Sequence, residues 1–447
     1  MDNDEPAGLD RIPAKLQQPG AARFWLALTL TGISTGIGAV VLTRLLEWVQ
    51  RLVWGGSGRD LLNAAEHANA WRHVWALLAA GAVTGLGQVI LRQLSSGNGI
   101  DTTAAIWFHA GRLPAWRTLG SAVLSVIIVG MGTSLGREGA PKQAGAVMAN
   151  VFAGRWRLSD EQRRLLVACG AGAGMSAAYG VPVGGALFTL EVMRGVLALR
   201  FVLPALFASA IAAGVSWIAL PDAPTYRIPS FANSAPAVAF ALIAGPIAGV
   251  VSVWYVRLIM WADRSKPKDW ERLIAPLVGL GLLGVVSIRF PQLLGNGKDV
   301  SQLAFTGQVA PLLLLALFML KPMATALCIR TGAPGGLFTP SLTVGAMLGG
   351  ALGAAWSWIW PGLPPGLCAL LGAGAVLAAT TQGPISAVVL LMELTGQDRS
   401  FILPLLLVAG TATLAARSIE PRSIYDAKLS DEEIAERQKI RDRPVQV

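Results

Sequence analysis

Charge is what this sequence has least of. Only 14% of its 447 residues are Asp, Glu, Lys or Arg, while 53% are hydrophobic; an average soluble domain carries roughly 25% charged residues. The apolar content runs over nearly the whole length, which the core of a single water-soluble domain cannot accommodate. Cysteine is scarce as well. Cys169, Cys328 and Cys368 stand far apart in apolar sequence, a spacing that excludes a disulfide framework and leaves them as small buried hydrophobes. The three histidines, His67, His73 and His109, sit near segment ends without HExxH or paired-ligand spacing, so no metal is expected. Also lacking are a nucleophile–base pair and a phosphate loop. The run Gly170-Ala171-Gly172-Ala173-Gly174 misses G-x-G-x-x-G spacing and follows no strand. An enzyme is not expected, and no cofactor.

What the sequence does have is apolar runs: Phe24–Val49, His73–Leu91, Phe201–Leu220, Ala237–Trp261, Pro311–Ile329 and Phe401–Ala416. Most reach the ~20 residues that cross a bilayer core, so an all-α polytopic membrane protein is predicted. The first run is read as a span and not a secretory signal, because acids outnumber any basic n-region before it and Arg44 interrupts it. The net charge of +10 does not form a nucleic-acid-binding stripe. Its residues cluster between spans: Arg155, Arg157, Arg163 and Arg164; Arg257, Arg264, Lys266 and Lys268; Arg417, Arg422 and Lys428. The positive-inside rule leaves that pattern, and it puts both termini in the cytoplasm of a bacterial inner-membrane protein.

Two apolar halves are expected, 24–220 and 237–428, joined by the polar stretch 221–236 and flanked by short tails, 1–23 and 429–447. Each half contains one Gly-rich break followed by an apolar run, Gly132–Gly139 and Thr331–Pro340. Paired interrupted segments of this kind point to an inverted repeat with broken helices. The segment Asp431–Arg443 is predicted to be a short solvated helix without a function of its own.

Four polar islands interrupt the lipid-compatible sequence: Ser95–Asp101, Gly136–Pro141, Gly332–Pro340 and Ser423–Asp426. Glycines just before an apolar helix leave its first backbone N–H groups bare. With the positive end of the helix dipole, they form an anion site that needs no fixed cation. An acid inside such an island, Glu138, is a functional candidate by default, because burying it uncompensated is costly. An ion pair to its neighbour Arg137 is not expected, since adjacent helical residues do not face each other.

In this order the islands resemble the CLC family of anion channels and proton-coupled antiporters, across essentially all of residues 24–430. The family motifs GSGIP, G(K/R)EGP and GxFxP have counterparts in Gly97-Asn98-Gly99-Ile100, Gly136-Arg137-Glu138-Gly139 and Gly336-Leu337-Phe338-Thr339-Pro340, followed by Tyr425. Phe188–Arg194 and the segment from Gly383-Pro384 to Glu393 also match. The resemblance implies a CLC-type inverted repeat with many tilted helices, and a homodimer with one pathway per subunit. It implies Glu138 as the gating and proton-transfer residue. It further implies an anion site from Asn98, Gly99, Arg137, Gly139, Leu337, Phe338, Thr339 and Tyr425. The partners so implied are small inorganic anions, protons and the bilayer.

Four positions depart from the family pattern. Asn98 replaces serine, Thr339 replaces alanine, Ala140 intervenes before Pro141, and Val192 stands where chloride/proton antiporters have a second, internal glutamate. Together these resemble the fluoride-exporting branch. Fluoride is small and strongly hydrated, so its site must replace water with strong donors, and Asn98 and Thr339 offer them. A fluoride/proton antiporter is therefore the leading expectation. A chloride/proton antiporter, towards which Tyr425 leans, and a passive channel gated by Glu138 are the alternatives. Glu191, beside Val192, is expected to make structural contacts at a helix end.

Overall fold

With no water in the hydrocarbon to satisfy peptide groups, an apolar chain of this kind must bond its backbone within helices. The computed structural model describes residues 21–58, 60–93, 101–397 and 401–441, and Asn98 and Gly99 lie outside them. Among the described residues there are eighteen α-helices and no strand. The first nine are α1 (Ala21–Trp54), α2 (Leu61–Glu66), α3 (Ala70–Gln93), α4 (Thr102–Phe108), α5 (Ala115–Gly130), α6 (Gly139–Arg155), α7 (Asp160–Tyr179), α8 (Pro182–Leu187) and α9 (Leu199–Trp217). A π-helical segment, Phe188–Arg194, continues α8. The rest are α10 (Ala235–Arg264), α11 (Glu271–Arg289), α12 (Lys298–Phe305), α13 (Pro311–Arg330), α14 (Phe338–Trp356), α15 (Pro365–Thr381), α16 (Pro384–Thr395), α17 (Ile402–Ile419) and α18 (Asp431–Arg441).

Eight of the described helices are long and apolar enough to cross a membrane. All six predicted spans are among them. The two not singled out in advance are α11, where Pro276 and several glycines dilute the apolar run, and α14, which begins inside a polar island. Large apolar side chains on the outside, such as Leu203 at 66% and Val278 at 65% exposed, suit lipid and would be a liability in water. The chain is an integral membrane protein.

The second half repeats the first in inverted sense. Helix α6 packs on α7 as α14 packs on α15, and α1 on α9 as α10 on α17, while α3 meets its counterpart α11 and α8 meets α16. Glycine makes the tightest of these contacts possible in both halves. A Cβ on Gly145 would overlap the Gly170 carbonyl, and one on Gly345 would overlap the Gly372 carbonyl. Without side chains there, the paired backbones approach closely enough to gain dispersion contact in the absence of a hydrophobic drive.

The same symmetry appears where α8 and α16 meet. Glu191 accepts hydrogen bonds from the Ile385 N–H (3.2 Å), the Ser386 N–H (2.6 Å) and the Ser386 hydroxyl (2.6 Å), capping α16. Glu393 reciprocally accepts from the Val183 N–H (3.1 Å) and Gly184 N–H (2.6 Å), capping α8. Each carboxylate thus offsets the orphan donors and positive pole of the other helix. The structural role expected of Glu191 is this cap.

The C-terminal helix departs from expectation. α18 forms, but it is not solvated all round: Ile434 and Arg437 are buried. The Arg437 guanidinium pairs with Asp426, lies 5.0 Å from the centre of the Trp107 ring and donates to the Val192 carbonyl at 3.0 Å. A buried guanidinium is tolerable there because a carboxylate, a carbonyl and an aromatic face replace water. Nothing in the charge-rich sequence of the segment distinguished Arg437 from its solvated neighbours.

Candidate functional site

Left-handed glycines end the helices that precede the two breaks. Gly132 (φ 110°) follows α5 and Gly332 (φ 87°) follows α13, conformations that a side chain would resist. The chain then turns back, and the two breaks meet: the Gly136 N–H donates to the Gly336 carbonyl and the Gly336 N–H to the Gly136 carbonyl, both at 2.8 Å. This antiparallel pairing brings the N-termini of α6 and α14 together. Two positive helix poles and their unbonded N–H groups consequently face one small volume.

Glu138 fills it. The residue stands at the N-cap of α6, but its side chain does not cap that helix. It reaches across to α14, where Oε1 accepts from the Phe338 N–H at 2.7 Å and lies 3.4 Å from the Thr339 nitrogen. Oε2 accepts from the Thr339 hydroxyl and the Tyr179 hydroxyl, each at 3.1 Å. Those two hydroxyls are themselves 2.6 Å apart. The glutamate is only 2% exposed. A Cβ at Gly136 or Gly336 would collide with its carboxylate, so the cradle needs both glycines.

Every donor in this cradle is neutral. Among the described contacts no ion pair joins Glu138 to Arg137, whose guanidinium instead lies 5.0 Å from the centre of the Tyr179 ring. A carboxylate held by N–H and O–H groups alone is stabilised while ionised and loses most of that attraction once protonated. An arginine partner would hold it far more firmly.

Two cavities are lined by residues that neighbour Glu138. One, of about 760 Å³, is lined by Arg137 and Tyr179; the other, of about 390 Å³, by Gly139, Gly336, Leu337 and Tyr425. The structure thus gathers Glu138, Gly139, Leu337, Phe338 and Thr339 at one point. Arg137 belongs to the larger cavity. Tyr425 lines the smaller one, edge-on to Phe188 at 5.7 Å, and makes no hydrogen bond to Glu138. Among the described residues no cluster of His, Cys, Asp and Glu could hold a metal, and the three cysteines are buried.

Sequence reasoning missed Tyr179. The available signal was a phenol at the end of a helix whose second half is otherwise almost entirely Gly, Ala and Ser, in a chain with only four tyrosines. Its ring packs 6.2 Å from Phe338. That contact is invisible from a separation of more than a hundred residues.

Comparison with known proteins agrees with this architecture. The ClcA H(+)/Cl(-) exchange transporter of Citrobacter koseri is 29% identical over 424 residues, covering 91% of this chain and 88% of that protein. The transporter of the same name from Salmonella arizonae is 28% identical over 423 residues, with the same coverage. Among solved structures, a slow cyanobacterial Cl-/H+ antiporter superposes with a TM-score of 0.79 at 22% identity, over 94% of this chain and 99% of that one. A CLC-type fluoride/proton antiporter gives 0.74 at 21%, with the same coverage. At those identities the likeness is one of fold. The family model described as voltage gated chloride channel matches residues 80–417, more than half of the sequence, and the chain belongs to that family.

Proposed function

We propose that this protein is a proton-coupled anion antiporter, in which Glu138 both occludes the anion pathway and carries the exchanged proton. The observation that carries the reading is the carboxylate itself: buried and bound only by neutral donors at the paired starts of α6 and α14. An anion and the ionised side chain compete for the same N–H groups of α14. Protonation weakens the hold on the carboxylate, the side chain leaves, and an anion takes its place. Coupling follows because the site accepts one negative charge at a time. Arg137, in the wall of the larger cavity, attracts anions towards the gate. Asn98 and Gly99 complete the site in this reading.

Chloride is the favoured substrate, since the relatives found by sequence are named chloride exchangers. Fluoride is the second reading, and one observation favours it: two hydroxyls, Thr339 and Tyr179, reach the carboxylate position. A small, strongly hydrated anion gains most from such donors. In this reading the protein resides in a bacterial inner membrane as a homodimer with one pathway per subunit.

The test is reconstitution into proteoliposomes with an imposed anion gradient, recording pH and anion flux together. The unaltered protein should move protons against their gradient, and Glu138→Gln should pass anions without protons. Anion flux with no proton movement in the unaltered protein would establish a channel instead. Fluoride flux well above chloride in the same vesicles would reverse the substrate preference.

A further inference from the structure

Lys321 stands at the midpoint of α13, one of the spans, and is 1% exposed. An amine buried at that depth is costly unless fixed dipoles replace its water. Here two backbone carbonyls do so: Nζ donates to Leu293 and to Gly295, each at 2.9 Å. Both carbonyls belong to the turn that follows α11. The same turn donates its Gly295 N–H to the Gly132 carbonyl at 3.0 Å. Gly132 is the left-handed glycine at which the first break opens, a short step before Gly136. Lys321 therefore fixes the turn, and the turn fixes the entrance to the break that carries Glu138.

The second break is anchored at the matching place. Gln88, half-buried on α3, donates from Nε2 to the carbonyl of Gly332 at 2.8 Å. The amide is pressed so close that a Cβ on Gly332 would overlap it. The two anchors are reciprocal across the halves. A turn of the second half, held by Lys321, bonds the left-handed glycine of the first, and a side chain of the first half bonds the left-handed glycine of the second. Between these fixed points the breaks meet as the Gly136–Gly336 pair. That pair sets where the α14 N-terminus stands relative to the backbone of Glu138.

We propose that Lys321 and Gln88 are positioning residues for the gate, each holding one break in the register at which the Glu138 carboxylate meets the α14 N–H groups. The proposal rests on the transport reading of Glu138. The physical point is a difference between the two competitors for those N–H groups. A free anion follows its donors when they shift, whereas the carboxylate is tied to the backbone of α6 and cannot. Its 2.7 Å bond from the Phe338 N–H is lost steeply as the donor moves away or tilts. Loosening either anchor thus weakens the closed gate more than it weakens the bound ion, and the balance moves towards the ion.

The experiment measures initial anion flux against anion concentration in proteoliposomes, for each variant alone and combined with Glu138→Gln. Lys321→Met and Gln88→Met keep the bulk of the side chain and lose the donor. Each should lower the half-saturating anion concentration about fivefold, the change expected for one hydrogen bond. Combined with Glu138→Gln, neither should shift it, because no ionised side chain remains to be displaced. A merely structural role would reduce the amount of folded protein and leave half-saturation where it was. An unchanged half-saturating concentration in either folded variant would overturn the proposal, as would a shift that persists with Glu138→Gln, which would mean an action on the ion itself. Should Lys321→Met not fold, Gln88→Met, at a half-buried position, decides. Amide hydrogen exchange in detergent gives a second arm. The segments around Gly136 and Gly336 should exchange about fivefold faster in Gln88→Met, with α10 and α17 unaltered, and equal rates would remove the anchor. Failure of the unaltered protein to exchange anions for protons would sink the transport reading alone, because the exchange arm does not depend on turnover.

Discussion

Replacing Tyr179 by Phe removes one oxygen from the cradle and little else. The ring remains to pack 6.2 Å from Phe338 and beneath the Arg137 guanidinium. The lost hydroxyl donates to Glu138 Oε2 at 3.1 Å and shares a 2.6 Å contact with the Thr339 hydroxyl. A hydrogen bond to a charged group contributes about 1.5–3 kcal/mol. The lower figure is the better expectation, because Thr339, 3.1 Å from the same oxygen, is then free to commit its only proton to the carboxylate. About 1.5 kcal/mol is roughly a tenfold change in an equilibrium constant. The sign follows from competition: with the closed gate held less firmly, an anion displaces it more easily. The half-saturating anion concentration should therefore fall about tenfold in Tyr179→Phe. The assay is initial anion flux at fixed pH over a range of concentrations in matched proteoliposomes. A half-saturating concentration that rises would refute the reasoning, since it would make Tyr179 a ligand of the transported ion and not a clamp on the gate.

Three further outcomes are expected. Thr339→Val should lower the ratio of fluoride to chloride flux, and combined with Tyr179→Phe it should be non-additive by about 0.5 kcal/mol or more in a double-mutant cycle on anion affinity, because the two hydroxyls touch. Glu191→Gln weakens the cap on α16 and should lower thermal stability in detergent, by about 1–2 kcal/mol, with the proton-to-anion ratio intact. Complete loss of proton flux with anion flux retained would instead make Glu191 part of the proton route. Asp426→Asn leaves the buried Arg437 guanidinium without its charge partner and should destabilise the docked α18 by about 3 kcal/mol, read as faster proteolysis of the C-terminal segment. Arg437→Met on top of it should recover part of the loss.

How much of this protein was legible in advance varied from residue to residue. Periodicity was uninformative, because helices surrounded by lipid and protein carry no regular polar face. Length and composition carried the signal instead, and they located α1, α3, α9, α10, α13 and α17. The break at Gly136–Gly139 and the acid inside it could be read as an anion-binding helix start, since bare N–H groups and a helix pole are local properties of the backbone. The glycines of Gly332–Phe338 were legible for the same reason.

What local chemistry could not determine was which helix start holds which side chain. Glu138 leaves its own helix uncapped and binds the N-terminus of α14, two hundred residues away, because the inverted repeat pairs Gly136 with Gly336. Tyr179 was passed over for the same reason. A tyrosine among small residues is unremarkable in sequence, and becomes a clamp only where α7 and α14 converge. Arg437 went the other way, from a presumed solvated residue to a buried partner of Asp426. The sequence by itself determined the solvent, the helices and which acid stands at an anion-binding helix start, because these follow from the energy of putting peptide groups and charges into hydrocarbon. The tertiary structure alone decided what the acid touches, since hydrogen bonds extend about 3 Å and only the symmetric packing of the two halves brings their donors that close.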